Sequence, residues 1–324
     1  MKNININKNK LIKSFKIIIM ISNEENNQDK KVDYLDFKDL ENFQNEKHYL
    51  SSLSNIGKYL KDDKLDWFDQ FEALNDLRKL NKFFPRSFLE ALSEISTDFS
   101  KFLLSIRSNI AKLSLITLKE FFGSEIYFSK NPEVLKDYKI QNTSNIVQSL
   151  FDTFLPSILT QSASMKGFLK EEAVQILDNI ANVSNNSYFL KKIISHINNK
   201  NNHYSENAFN CAYNLIQNIF TSDGYGEFSP SASPEKKGTK TFNKIKDILE
   251  CIMRLYNLKK DLFTKKALKL YFAVKDSVKH EQFENSKTYM DNNARTILEK
   301  MENDANKTSR TSSNFKDFMS SKKK

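Results

Sequence analysis

Met165-Lys166-Gly167-Phe168-Leu169-Lys170-Glu171-Glu172-Ala173-Val174-Gln175-Ile176-Leu177 is a short break followed at once by a helix pattern. Leu169, Ala173, Ile176, Leu177 and Ile180 recur at three- and four-residue steps, the spacing of one face of an α-helix. The same order of events, a short polar loop and then helical apolar spacing, returns at Asp66-Trp67, Ile106-Arg107-Ser108, Asn202-His203-Tyr204-Ser205 and Phe263-Thr264-Lys265-Lys266. From Trp67 through Arg107, Gly167 and Ser205 to Thr264 the intervals are about 40, 60, 38 and 59 residues.

A period near 40, twice lengthened by an insertion near 20, lies in the range of HEAT-type helical repeats. No single helix pair of that kind can bury its apolar face alone, so about six pairs form one cooperative all-α solenoid over residues 46–303. Such repeats line up their loops along one edge, and function is sought there rather than in a pocket. The insertions fall at 123–142 and at 221–241. The second is a Gly/Ser/Pro-rich linker, in which Gly224-Tyr225-Gly226 lacks the strand–helix setting of a phosphate loop. Residues 1–45 read as an extended leader and 304–324 as a basic disordered tail.

Composition agrees with long helices. Six glycines and five prolines in 324 residues are too few for an all-β fold. The 26 phenylalanines sit mostly inside periodic segments and read as core. Within these segments Phe83-Phe84-Pro85 marks a helix boundary, and Ser108 and Ser205 read as helix caps. Two cysteines, Cys211 and Cys251, lie in apolar helical patterns and read as reduced, buried thiols.

The net charge of +10 suggests nucleic acid until it is located. Residues 1–20 hold five lysines and no acid, and residues 306–324 hold six basic residues and Asp317. Between them, acidic and basic residues are equal in number. A neutral body with basic ends argues against nucleic-acid binding along the solenoid. The run Ile17-Ile18-Ile19-Met20-Ile21 is too short for a signal peptide, translation from Met20 would remove most of it, and no stretch reaches the length of a membrane span. The reading is a soluble cytosolic protein.

Catalysis is not expected. His48, His196, His203 and His280 are scattered without metal-ligand spacing, and no metal or cofactor is expected. Ser229-Pro230 and Ser233-Pro234 fit proline-directed phosphorylation, which would place negative charge beside Lys236, Lys237 and Lys240.

Four stretches carry a family resemblance. They are Asp66-Trp67 with Glu72-Ala73-Leu74 and Leu77-Arg78; Ile106-Arg107-Ser108-Asn109-Ile110; Lys166-Gly167-Phe168-Leu169-Lys170-Glu171-Glu172-Ala173; and Asp261 with Thr264-Lys265 and Lys269. In order and spacing residues 46–303 resemble a TOG domain, the tubulin-binding HEAT array, in its CLASP and crescerin (TOGARAM) branch. The resemblance implies that intra-repeat loops grip an αβ-tubulin dimer or the microtubule lattice, with an aromatic anchor in the first loop and basic residues in later ones. Carried over, the anchor is Trp67, and the other contacts are Arg107, Ser108, Lys166, Lys200, Lys265 and Lys266. It implies a place in the cytoplasm and cytoskeleton, on microtubules including those of cilia, axonemes or basal bodies. The chain departs from the family at Gln70 and Ser205, where basic residues are usual, and carries lysine for arginine in the fifth loop. The alternative function is a HEAT scaffold that binds a non-tubulin protein.

Overall fold

A computed structural model describes residues 34–61, 65–128, 143–183, 187–221, 234–258 and 260–304. The chain divides into two units, 1–36 and 37–324, and the helical body belongs to the second. After a 3-10 turn at Phe37–Asp39 come α1 (Glu46–Tyr59), α2 (Trp67–Phe83), α3 (Pro85–Leu103) and α4 (Ser108–Phe122). They are followed by a one-turn α5 (Glu125–Phe128), α6 (Thr143–Ser162), α7 (Gly167–Val183), α8 (Ser187–His196) and α9 (Asn202–Thr221). The body closes with α10 (Pro234–Tyr256), α11 (Asp261–Ser277), α12 (His280–Thr288) and α13 (292–304). Among the described residues there is no strand.

The helices pack as pairs in two rows. Within pairs, α1 packs on α2, α3 on α4, α6 on α7, α8 on α9 and α10 on α11. A sixth pair, α12 and α13, is tied by Lys287 to Glu302 at 2.9 Å. The leading helices α1, α3, α6, α8, α10 and α12 each pack on the next in that order, and so do the trailing helices α2, α4, α7, α9 and α11. This is an α-solenoid of helix pairs, as the period of the sequence predicts. Every loop within a pair joins the end of a leading helix to the start of a trailing one, so these loops share one edge.

Apolar periodicity explains the rows. Leu92, Ile95, Phe99 and Phe102 of α3, Leu150, Phe151 and Phe154 of α6, and Ile176, Leu177 and Ile180 of α7 are all buried. Many of the phenylalanines lie in the core, though Phe168 is exposed: Phe121 meets Phe122 at 4.7 Å, Phe122 meets Phe151 at 6.2 Å, and Phe151 meets Phe189 at 4.3 Å between ring centres. These distances suit tilted aromatic contacts, which add to plain burial.

Polar ties fix the trailing row. Arg78 of α2 is fully buried and donates from Nε and Nη2 to the Glu120 carboxylate of α4, the shortest contact being 2.5 Å. Burial holds the Glu120 carboxyl above the usual range, against the pull of Arg78. Lys119 of α4 pairs with Glu172 of α7 at 2.5 Å. Asn218 of α9 donates to the Ala181 carbonyl of α7 at 2.7 Å. The buried Cys211 thiol of α9 donates to the Leu177 carbonyl at 3.3 Å, and burial raises its pKa strongly. Both cysteines are free thiols; Cys211 is buried and Cys251 half-buried.

Element bounds differ from the sequence reading in several places. Leu40 and Phe43, inside the stretch read as leader, are buried, and Lys82 donates to the Lys38 and Leu40 carbonyls. The 123–142 insertion opens with α5, whose buried Tyr127 donates to Asn81 at 2.7 Å, while 129–142 lie outside the described residues. Helix α10 begins at Pro234 and occupies 234–241, read as linker. Proline suits the first turn of a helix, where its missing N–H is not needed. Ser229 and Ser233 lie outside the described residues.

Candidate binding edge formed by the intra-pair loops

Two loops on the edge are built alike. In the α3–α4 loop Ser105 Oγ accepts from the Arg107 N–H, and in the α6–α7 loop Ser164 Oγ accepts from the Lys166 N–H, both at 3.2 Å. A serine that bonds two residues on closes a side-chain turn. The residue between is pushed outward, and here it is apolar. Ile106 is 93% exposed and Met165 99%. The fourth loop uses the same device with an amide: Asn199 Oδ1 accepts from the Asn201 N–H at 2.9 Å and leaves Lys200 exposed. Sequence reading did not single out Ile106 or Met165. The signal was there, as Ser-apolar-basic at 105–107 and again at 164–166.

Neighbouring loops are tied to one another by the predicted cations. Arg107 Nη1 reaches back to the Leu65 carbonyl of the first loop at 3.4 Å. Lys166 Nζ donates to Ser108 Oγ at 2.8 Å. Both ties are exposed and individually weak. Their effect is to hold the loops in register.

Trp67 opens α2 at the first loop. Asp66 caps the helix, its carboxylate accepting from the Phe68 N–H at 2.8 Å. The indole is half-buried and meets the Phe68 ring edge-on at 5.9 Å. At the other end Lys265 stands exposed in the first turns of α11, near the exposed Leu258 and Leu262. The edge thus holds Trp67, Arg107, Ser108, Lys166, Lys200 and Lys265 in chain order.

Lys266 is the exception. The residues read as a loop at 263–266 belong to α11, and Lys266 is 5% exposed. Its ammonium donates to Ser205 Oγ at 2.9 Å and pairs with Glu206 at 3.0 Å. Ser205 is itself 0% exposed and lies inside α9, where it donates to the Ile197 carbonyl rather than capping the helix. Ser108 likewise opens α4 instead of capping it, with Arg107 as the cap residue. Gln70 is 1% exposed. Both positions at which the chain departs from the resemblance, Gln70 and Ser205, are therefore interior.

Beneath the fourth loop the Tyr204 hydroxyl meets His196 Nδ1 at 2.7 Å. Burial lowers the His196 pKa, helped by Lys192 and opposed by Asp152. Among the described residues no group of three or more His, Cys, Asp or Glu is placed to hold a metal ion, and no helix is long and apolar enough to cross a membrane.

No family model matches the chain, and no curated protein matches it. Among solved structures it is similar to a TOG domain of C. elegans Zyg9, at 12% identity and a TM-score of 0.43, covering 82% of this chain and 91% of that one. It is also similar to a designed armadillo repeat protein, at 13% identity and a TM-score of 0.33, covering 77% of this chain and 97% of that one. The assignment as an α-solenoid rests on the helix pairing itself and not on these likenesses.

Proposed function

We propose that this chain is a non-catalytic protein that binds αβ-tubulin or the microtubule lattice through its loop edge, and so regulates microtubule growth or ciliary structure. The observation that carries the reading is the row of side chains along one edge, with half-buried Trp67 at one end, exposed Lys265 at the other, and exposed Ile106 and Met165 between them. Buried aromatic and apolar anchors ringed by cations are what tight protein interfaces use. Acidic tubulin surface would take the cations, and the apolar tips would add contact that salt does not screen. Lys266 is not part of this contact set, since its charge is spent inside the body.

The test is gel filtration of the full chain with purified αβ-tubulin at fixed salt. Wild type should co-elute with tubulin, and Trp67→Ala combined with Lys265→Ala should weaken binding at least tenfold, with unchanged circular dichroism. Equal binding by the double variant would rule the loop edge out as the contact.

A further inference from the structure

A groove of about 770 Å³ lies away from the loop edge, between the trailing helices α7, α9 and α11. Its floor is one face of α9, on which Asn210 and Asn214 stand exposed one turn apart beside the exposed ring of Tyr213. Its walls carry Asp178 from α7, and Lys269 and Asp276 from α11. Among the described residues, neither asparagine side chain has a hydrogen-bond partner, and neither aspartate has an ion-pair partner. Elsewhere along the same row such groups are used up in ties between helices, as at Asn218 and Lys119.

The groove is polarised along its length. The three helices start at the same edge, so depth is read from residue number at ~1.5 Å per residue. Lys269 and Asn210 stand at the same depth, nearer the loops. Asp178 is level with Asn214, and Asp276 lies deeper. A cation thus stands nearest the loop end, with Asp178 about 5 Å deeper and Asp276 about 10 Å deeper along the helices. That distance spans about three residues of extended chain. Two unpartnered amides on the floor, Asn210 at the depth of Lys269 and Asn214 between Lys269 and Asp276, offer a donor and an acceptor each, the complement of a peptide backbone. The carboxylates argue against a nucleic-acid backbone.

We propose that this groove binds a short extended peptide segment that carries a carboxylate at the loop end and a cation about three residues away at the far end. Asn210 and Asn214 pair with its backbone, Tyr213 covers its side, Lys269 takes the carboxylate, and Asp276 takes the cation.

The proposal goes beyond tubulin binding and stands or falls separately from it. Phage-displayed random heptapeptides are panned against the immobilised full chain. The expected enrichment is for an acidic and a basic residue two to four positions apart, in one fixed order. The best sequence, made as a fluorescent peptide, should bind Asn214→Ala several-fold more weakly than wild type, the loss of a neutral hydrogen bond, and Asp276→Asn roughly tenfold more weakly, the loss of a charge-assisted one. The charge swap of Lys269→Glu with Asp276→Lys should enrich the reverse order. All three variants should bind tubulin as wild type does. Failure to enrich a charge-ordered sequence, or equal peptide binding by the two single variants, overturns the proposal. If the swapped protein does not fold, the two conservative single variants decide the matter alone.

Discussion

Lys265 and Lys266 are adjacent in the chain and about 100° apart around the same helix, which leaves one exposed and the other buried. Position 266 falls on the apolar stripe of Phe263, Ala267, Leu270, Tyr271 and Val274, and position 265 falls off it. A buried ammonium is kept by its partners, here Ser205 and Glu206, and its loss strands the hydroxyl it served. We therefore expect Lys266→Ala to lower stability by about 1–3 kcal/mol in urea denaturation. Lys265→Ala should change stability by no more than about 0.5 kcal/mol, as an exposed substitution does. Tubulin binding should respond in the opposite order once both proteins are compared folded. Equal unfolding midpoints would mean that the Lys266 ammonium escapes to solvent. The period that marks Lys266 as interior was legible in the sequence, as it was for Gln70 beside Phe71 and Leu74. The charge of Lys266 points to the surface while its period points to the interior, and the period decides. Ile106 and Met165 are the converse case. An apolar residue in a loop reads as nothing until the serine turn that pushes it outward is seen.

At the scale of elements, the helices were legible because each carries its own 3.6-residue stripe, and the stripes have only two rows to fill. The bounds were harder, since they depend on local bonding that a stripe does not report. Pro234 illustrates this, opening α10 within a stretch whose composition reads as linker. The end of α4 shows how tightly one such boundary is held. A Cβ on Gly123 would stand 2.7 Å from Asn179 Nδ2 and 2.9 Å from the Lys119 carbonyl. Asn179 cannot yield freely, because that amide donates to the same carbonyl at 2.9 Å and ties α7 to the last turn of α4. Gly123→Ala should therefore cost about 1–3 kcal/mol and lower the melting temperature by several degrees. Gly167 opens α7 with nothing within 4 Å of an added Cβ, so Gly167→Ala should melt at or slightly above the wild-type temperature. A Gly123→Ala protein that melts with wild type would show that the Asn179 tie is dispensable.

For the whole molecule, the cadence of loops foretold the paired rows and the shared edge, since one period repeated along the chain leaves few ways to bury every stripe. It did not foretell the α7–α9–α11 groove, whose walls come from residues roughly 100 positions apart. Charge placement sets the last expectation. Residues 21–305 are neutral, whereas 306–324 carry six basic residues against Asp317. A loop edge that binds through a few placed side chains and two apolar tips should lose little affinity as salt rises. A basic tail on an acidic surface should lose most of its contribution, because such exposed charges are screened within ~10 Å at 0.1 M salt. Tubulin affinity of the full chain is then expected to fall with salt more steeply than that of a chain ending at residue 305. The two should converge as salt rises and the contribution of residues 306–324 is screened away. Trp67→Ala should lower both curves by a similar factor at every salt concentration, since an indole contact is not screened. If ending the chain at 305 leaves the salt slope unchanged, the charge that tubulin feels lies elsewhere, on the five lysines of residues 1–20 or on Arg107, Lys166, Lys200 and Lys265 of the loops.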